Sequence, residues 1–114
     1  MELSARAKVG LGKYLCHWVV VAWSAGACGH VVDYGRMEVA SADLGVERAL
    51  LTTLRRLREE LVEPGWPQEG KAKVPDVVFV DAGYQTEVVY AFCREVGERY
   101  RPAVGRGTDQ QRRQ

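Results

Sequence analysis

A run of nine residues, Leu15-Cys16-His17-Trp18-Val19-Val20-Val21-Ala22-Trp23, constrains this chain more than any other stretch. Side chains branched at Cβ and large aromatics pack well on a pleated surface and lose rotamer freedom in a helix. The run therefore predicts a strand buried on both faces. Ser24-Ala25-Gly26-Ala27 supplies small turn residues, and residues 28–34 read as a second strand. A link this short makes the pair an antiparallel hairpin. Upstream, Ala5, Ala7, Val9 and Leu11 alternate with polar or small residues, and Gly12-Lys13 can turn the chain. A first strand over residues 6–11 thus opens a three-stranded meander.

From Ser41 the period changes. Leu44, Glu47, Leu50, Leu51, Leu54, Leu57 and Leu61 recur every three or four residues, the spacing of one helical face. Ser41 or Asp43 is placed to cap the first free N–H groups, and Pro64-Gly65 ends the helix. Arg48, Arg55, Arg58, Glu59 and Glu60 fall on the other side and read as a solvated face. After a loop holding Trp66, the run Val77-Val78-Phe79-Val80 has the form of a central parallel strand, and it ends in Asp81-Ala82-Gly83. A second amphipathic helix starts near Thr86, with Val89, Phe92, Cys93 and Val96 inward, and residues 100–104 form a last short strand. The order β-β-β-α-β-α-β implies an α/β fold with a mixed sheet and helices on both faces, the order of a ribonuclease H-like core.

The whole is the size of one domain: 114 residues, 46% of them hydrophobic, enough for a sizeable core. The expected division is a folded unit over residues 1–107 and a polar, disordered tail over residues 108–114. Sixteen basic side chains against fifteen acidic leave a net charge of +1, so any nucleic-acid contact has to rest on local features. No apolar run approaches the roughly 18 residues of a membrane span. Three cysteines and no leader-like start point to reduced thiols in a cytoplasm.

Several chemistries fail on spacing. Gly10-Leu11-Gly12-Lys13 lacks the first glycine and the final Ser or Thr of a phosphate-binding loop, so no nucleotide-binding site is expected. Cys16-His17 and Cys28-Gly29-His30 lie on neighbouring strands without the Cys spacing of a structural zinc site. Asp81 is different, because ligands gather at the carboxyl ends of parallel strands. An acid there can hold a cation, or it can be a turn-forming Asp that caps the following helix. Asp33 ends the second strand of the hairpin and reads as a turn residue of Asp33-Tyr34-Gly35. Glu38 has no geometric reason for promotion, and Trp18 and Trp23 read as core or interface anchors.

The stretch Leu15 to Trp23, then His30-Val31-Val32-Asp33-Tyr34-Gly35-Arg36, and later Val80-Asp81-Ala82-Gly83-Tyr84 resemble the nuclease domain of phage packaging terminase large subunits of the lambda type. Tyr90-Ala91-Phe92-Cys93-Arg94 and Arg101-Pro102 extend the resemblance to roughly residues 8–107. It implies a ribonuclease H-like endonuclease that cuts concatemeric DNA for packaging, using acids on several strands to hold two Mg²⁺ or Mn²⁺ ions. Its implied partners are double-stranded DNA and other terminase or portal components, in the cytoplasm of a bacterial host. Asp81 matches the family's acid at the end of the fourth strand. Leu11-Gly12-Lys13 occupies the stretch that follows the first-strand acid, which puts Gly10 at that acid's position. The third acid lies further toward the C-terminus in the family, and Asp109 is a poor substitute. The expectation is a truncated nuclease domain, inactive as it stands, with Asp81 as a vestigial metal ligand. The alternatives are part of a split active nuclease, or a non-catalytic module that binds DNA or a packaging protein. Arg36, Arg101 and Arg106 are its candidate DNA contacts.

Overall fold

The computed structural model describes residues 4–12, 14–24, 28–39, 45–68 and 70–104. Strand β1 (Ser4–Leu11) pairs antiparallel with β2 (Leu15–Ser24), which pairs antiparallel with β3 (Cys28–Glu38), as the meander requires. Helix α1 (Val46–Leu57) runs into a π-helical turn, Arg58–Val62. A small hairpin, β4 (Trp66–Gln68) and β5 (Lys71–Lys73), comes next. Strand β6 (Val77–Asp81) is parallel to β1, helix α2 covers Thr86–Val96, and β7 (Tyr100–Ala103) is parallel to β6. The five-stranded mixed sheet has the order β3-β2-β1-β6-β7. The predicted fold class holds, with the short hairpin as an unforeseen addition.

The expectation of helices on both faces is corrected. One core joins Ala7, Val9, Cys16, Val20, Val78 and Val80 on one side of the sheet to Leu50, Leu54, Val89 and Phe92 of the two helices. Both helices therefore lie on that side. Strand handedness explains it. β3 runs parallel to β1, β6 and β7, and the connections β3→β6 and β6→β7 step across the sheet in the same direction. Right-handed crossovers taken in one direction place their helices on one face.

For the same reason β2 is not buried on both faces. Cys16, Val20 and Ala22 are buried against the helices, while His17 is exposed and Val19, Val21 and Trp23 are half-buried. Strand β1 alternates in the same way, with Ala5, Ala7, Val9 and Leu11 inside and Arg6 and Lys8 outside. Each fully buried Leu or Phe on the covered side contributes about 1.5–3 kcal/mol. Phe92 and Tyr100 add an edge-on ring contact at 5.6 Å.

Two element ends differ from expectation. Helix α1 begins at Val46 behind Gly45, whose φ is 110° and which offers no side-chain cap; Ser41 and Asp43 lie outside the described residues. Strand β3 continues through Tyr34-Gly35-Arg36 to Glu38, where a turn was expected. The ring of Trp18 lies across Gly35, so close that a Cβ there would sit 2.7 Å from it. A glycine that reads as a turn in sequence here makes room for a neighbouring indole. Pro64-Gly65 ends the helical stretch as predicted, Gly65 taking φ +79° against the backbone of Lys73. Among the described residues no helix is long and apolar enough to cross a membrane.

Candidate functional site

Asp81 is the last residue of β6 and is exposed. Side chains alternate along a strand, so burial of Val80 against the helices turns Asp81 to the open face. The pairing Val9↔Val80 continues by one residue to bring Gly10 beside Asp81 on that face. The two residues line one groove of about 380 Å³, with Lys8, Phe79, Ala103 and Val104. A Cβ built on Gly10 meets nothing within 4 Å. The strand position predicted to lack a carboxylate is thus next to the one that has it, with space for a side chain.

Asp81 forms a turn. Its Oδ1 accepts a hydrogen bond from the Gly83 N–H at 2.9 Å. It does not cap α2, which begins at Thr86 behind Gln85, a residue in the left-handed region at φ 55°. The hydroxyl of Thr86 donates to the Ala82 carbonyl at 2.6 Å, fixing the exit of the strand to the helix. A pair of divalent ions needs several carboxylates around it. Here Asp81 supplies one, Gly10 supplies no side-chain oxygen, and among the described residues no three His, Cys, Asp or Glu side chains are grouped to hold a metal ion. These residues do not make a two-metal centre.

Two of the three candidate DNA contacts, Arg36 and Arg101, stand on the open face. Arg36 lies opposite His17, and His17 opposite Gly10, so a row crosses the sheet from β3 to the Asp81 groove. In the adjacent row Tyr34, Val19, Lys8, Phe79 and Arg101 are successive cross-strand partners. Arg36 and Arg101 are both exposed and share this face; Arg101 also donates to the Glu98 carbonyl at 3.2 Å. Arg106 and Asp109 lie outside the described residues.

Asp33 is neither a turn residue nor part of the Asp81 site. It sits within β3 on the helix-covered side, opposite Val20, next to a bulge that leaves Val32 without a partner. Its Oδ2 accepts from the Trp66 indole N–H at 2.8 Å, and Oδ1 from the Tyr34 N–H at 2.8 Å. Trp66 also packs on Trp18 with ring centroids 6.1 Å apart. Asp33 thus pins the β4–β5 hairpin to the sheet. The zinc arrangement fails on geometry as well as spacing, because Cys16 and His17 point to opposite faces. Burial pushes the Cys16 thiol up to about 11, which leaves it an inert core group.

The charged side of α1 is more organised than a solvated face. Arg55 pairs with Glu95 of α2 through two hydrogen bonds, while Arg58 and Arg99 both approach Glu63, whose carboxylate accepts from the Tyr100 hydroxyl at 2.9 Å. Burial, then Glu63, pushes the Tyr100 hydroxyl well above its ordinary value. Sequence reading had no signal for these pairs, which depend on how the helices dock.

At the other end of the sheet Asp76 ties β6 to β1. Lys73 donates to it at 2.9 Å, and so does the Ala5 N–H. The Lys73 contact, with the Ala5 hydrogen bond, holds the Asp76 carboxyl below its ordinary 3.8. A carboxyl lowered on folding stabilises the fold above 3.8 and loses that contribution as pH falls through its folded value. Wild type is expected to have a slightly higher urea midpoint than Asp76→Asn at neutral pH, and the gap is expected to close below pH 3.8. A gap that persists or widens in acid contradicts this assignment. The effect is small because the pair is exposed.

No family description and no curated protein sequence matches the chain. Solved structures do. A member of the Ppx/GppA family from Aquifex aeolicus superposes with a TM-score of 0.54 at 11% identity, over 93% of this chain and 37% of that one. Fowlpox virus resolvase, solved with Holliday junction DNA, gives 0.53 at 12% identity, over 88% of this chain and 58% of that one. An exopolyphosphatase from Cytophaga hutchinsonii gives 0.52 at 13% identity, over 90% and 35%. The fold is ribonuclease H-like. The chain spans between about a third and three-fifths of the length of these structures. At such identities the likeness speaks to the fold alone, and the ribonuclease H-like core hosts more than one chemistry.

Proposed function

We propose that this chain carries the nuclease-fold core of a lambda-type terminase large subunit whose metal site lacks the first-strand carboxylate. The observation that carries this reading is the groove shared by Gly10 and Asp81, with space at Gly10 where the family places an acid. The ribonuclease H-like sheet and a resolvase among the similar structures support the nuclease side of it. The terminase side rests on the resemblance of Leu15 to Trp23, His30 to Arg36 and Val80 to Tyr84. In this reading the chain works in a bacterial cytoplasm with duplex DNA and other packaging components, and Asp81 is a remnant ligand for Mg²⁺ or Mn²⁺.

One carboxylate cannot by itself hold two divalent ions, each of which needs several oxygen ligands, so the purified protein is expected not to nick supercoiled plasmid above background in either metal. Nicking that disappears in Asp81→Asn overturns the proposal. The room beside Asp81 also admits a second reading, in which a carboxylate from another polypeptide completes a split nuclease. The gene's flanking reading frames decide between them. A neighbouring frame that encodes an acidic segment, and confers Asp81-dependent nicking when co-purified, favours the split enzyme.

A further inference from the structure

On the helix-covered side of the sheet, at the end away from Asp81, the two helices leave a gap that the β4–β5 hairpin closes. Ala5 and Ala22 face each other there across β1 and β2. Both are buried, yet neither joins the core under α1 and α2. Their short side chains, with Val20 and Pro75, form the floor of an apolar cavity of about 180 Å³. Trp66 and Pro67 of β4 line it from the hairpin side, the indole fixed by Asp33 and Trp18. The floor is buried, whereas His30 and Val32 of β3 line the cavity and are exposed, so its mouth opens beside β3. Strand β3 is an edge of the sheet, and one row of its N–H and C=O groups faces away from β2. It is apolar for an edge: Val31, Val32 and Tyr34 are 57%, 42% and 75% exposed. The other edge, β7, is only four residues long and carries Pro102, which has no N–H to offer.

We infer that β3 and this cavity together dock an extended peptide of a partner protein, which adds as a sixth strand and inserts one aromatic side chain into the cavity. The nuclease reading above is not needed for it. In such pairings main-chain hydrogen bonds to a free edge supply affinity, and pockets for alternate side chains supply selectivity. Size selects the occupant. An apolar cavity of roughly 150 Å³ holds one benzene ring, whereas sites for cofactors and drug-sized molecules measure about 300–1,000 Å³. The cavity here suits the ring of a single Phe. Charge agrees, because the Lys73 ammonium at the rim is already paired with Asp76 and attracts an anionic ligand little. Peptide residues on either side of that Phe fall on the open face, where Val31 and Tyr34 are exposed beside Val21 and Val19. Neither the C-terminal residues nor a second β3 supplies the ring. Residues 105–114 contain no aromatic side chain. Beyond His30, a second β3 would turn Asp33, Gly35 and Met37 to the covered side; Asp33 is bound to Trp66, and Met37 packs on the core.

The test is fluorescence anisotropy of a labelled peptide, Lys-Thr-Val-Phe-Val-Thr-Glu, titrated with the full chain. Wild type is expected to bind it with a Kd on the order of 10–100 µM. Replacing the peptide's Phe by Ala empties the cavity and is expected to weaken binding at least about tenfold. Replacing the Val-Thr pair after the Phe by Pro-Pro removes an N–H directed at β3 in either register, and is expected to abolish binding. Ala22→Ile fills the floor with a residue that suits a strand, and is expected to cost the Phe peptide at least about tenfold while leaving the Ala peptide unaffected. Circular dichroism checks folding; if Ala22→Ile does not fold, Val32→Arg at the exposed mouth takes its place with the same expected loss. Equal binding of the Phe and Ala peptides overturns the inference. So does undiminished binding of the Pro-Pro peptide, or of the Phe peptide to the folded variant. No binding of the Phe peptide at about 1 mM also refutes it, as does a wild-type dimer in sedimentation that the peptide cannot displace.

Discussion

Replacing Gly10 by aspartate is expected to tighten Mn²⁺ binding at the Asp81 groove by on the order of tenfold or more. Gly10 and Asp81 lie on adjacent parallel strands, about 4.8 Å apart at Cα, and project from the same face. An added Cβ meets nothing within 4 Å, so the new side chain can enter the groove without displacing a neighbour. Two carboxylates this close repel each other when empty, which gives them a reason to share a cation. The substitution has a thermal signature too. Metal-free Gly10→Asp should melt at or slightly below wild type, since aspartate and glycine are both poor strand residues. Added Mn²⁺ should raise its melting temperature and leave wild type nearly unmoved, because an ion that binds only the folded state stabilises it by mass action. Titration calorimetry supplies the affinity, and Asp81→Asn in the Gly10→Asp background should return it to the wild-type value. Equal Mn²⁺ affinity in Gly10→Asp and wild type would show that the two positions do not form one site.

How much of this was legible in sequence depended on whether the signal was local. The meander, the Leu50-to-Leu57 face and the Val77-to-Val80 strand each rest on a period inside one element, and all were found. Gly10 entered only through the resemblance, as the position of the family's first-strand acid; its place beside Asp81 comes from the parallel register of β1 with β6. What was missed depends on contacts between elements. A continuous apolar run in β2 suggests cover on both sides, yet the sense of the two crossovers puts both helices on one. Val19, Val21 and Trp23 look like core in one dimension and line the open face of the sheet in three. Gly35 looked like a turn because nothing in its neighbours announces that an indole from β2 will cover it.

Asp33 is the sharpest such case, and it yields the second large effect. Asp33→Ala is expected to destabilise the protein by about 2 kcal/mol, because it leaves the half-buried Trp66 indole N–H without its charged acceptor. Asp81→Ala is expected to cost far less, since its one observed bond, to the Gly83 N–H, is at an exposed turn where water replaces it. The two acids therefore exchange the roles that sequence position suggests, the strand-end acid being dispensable for folding and the presumed turn acid holding tertiary structure. Urea unfolding measures both. The structural assignment of Asp33 needs a partner-specific readout, and Trp66→Phe supplies it by removing the donor while keeping an aromatic ring against Trp18. In the double-mutant cycle the Asp33→Ala and Trp66→Phe losses should be markedly less than additive, with a coupling of roughly 1–3 kcal/mol. Additive losses would mean that Asp33 acts through β3 alone. A coupled pair would show that the Asp33–Trp66 hydrogen bond holds the β4–β5 hairpin on the opposite face of the sheet from Asp81.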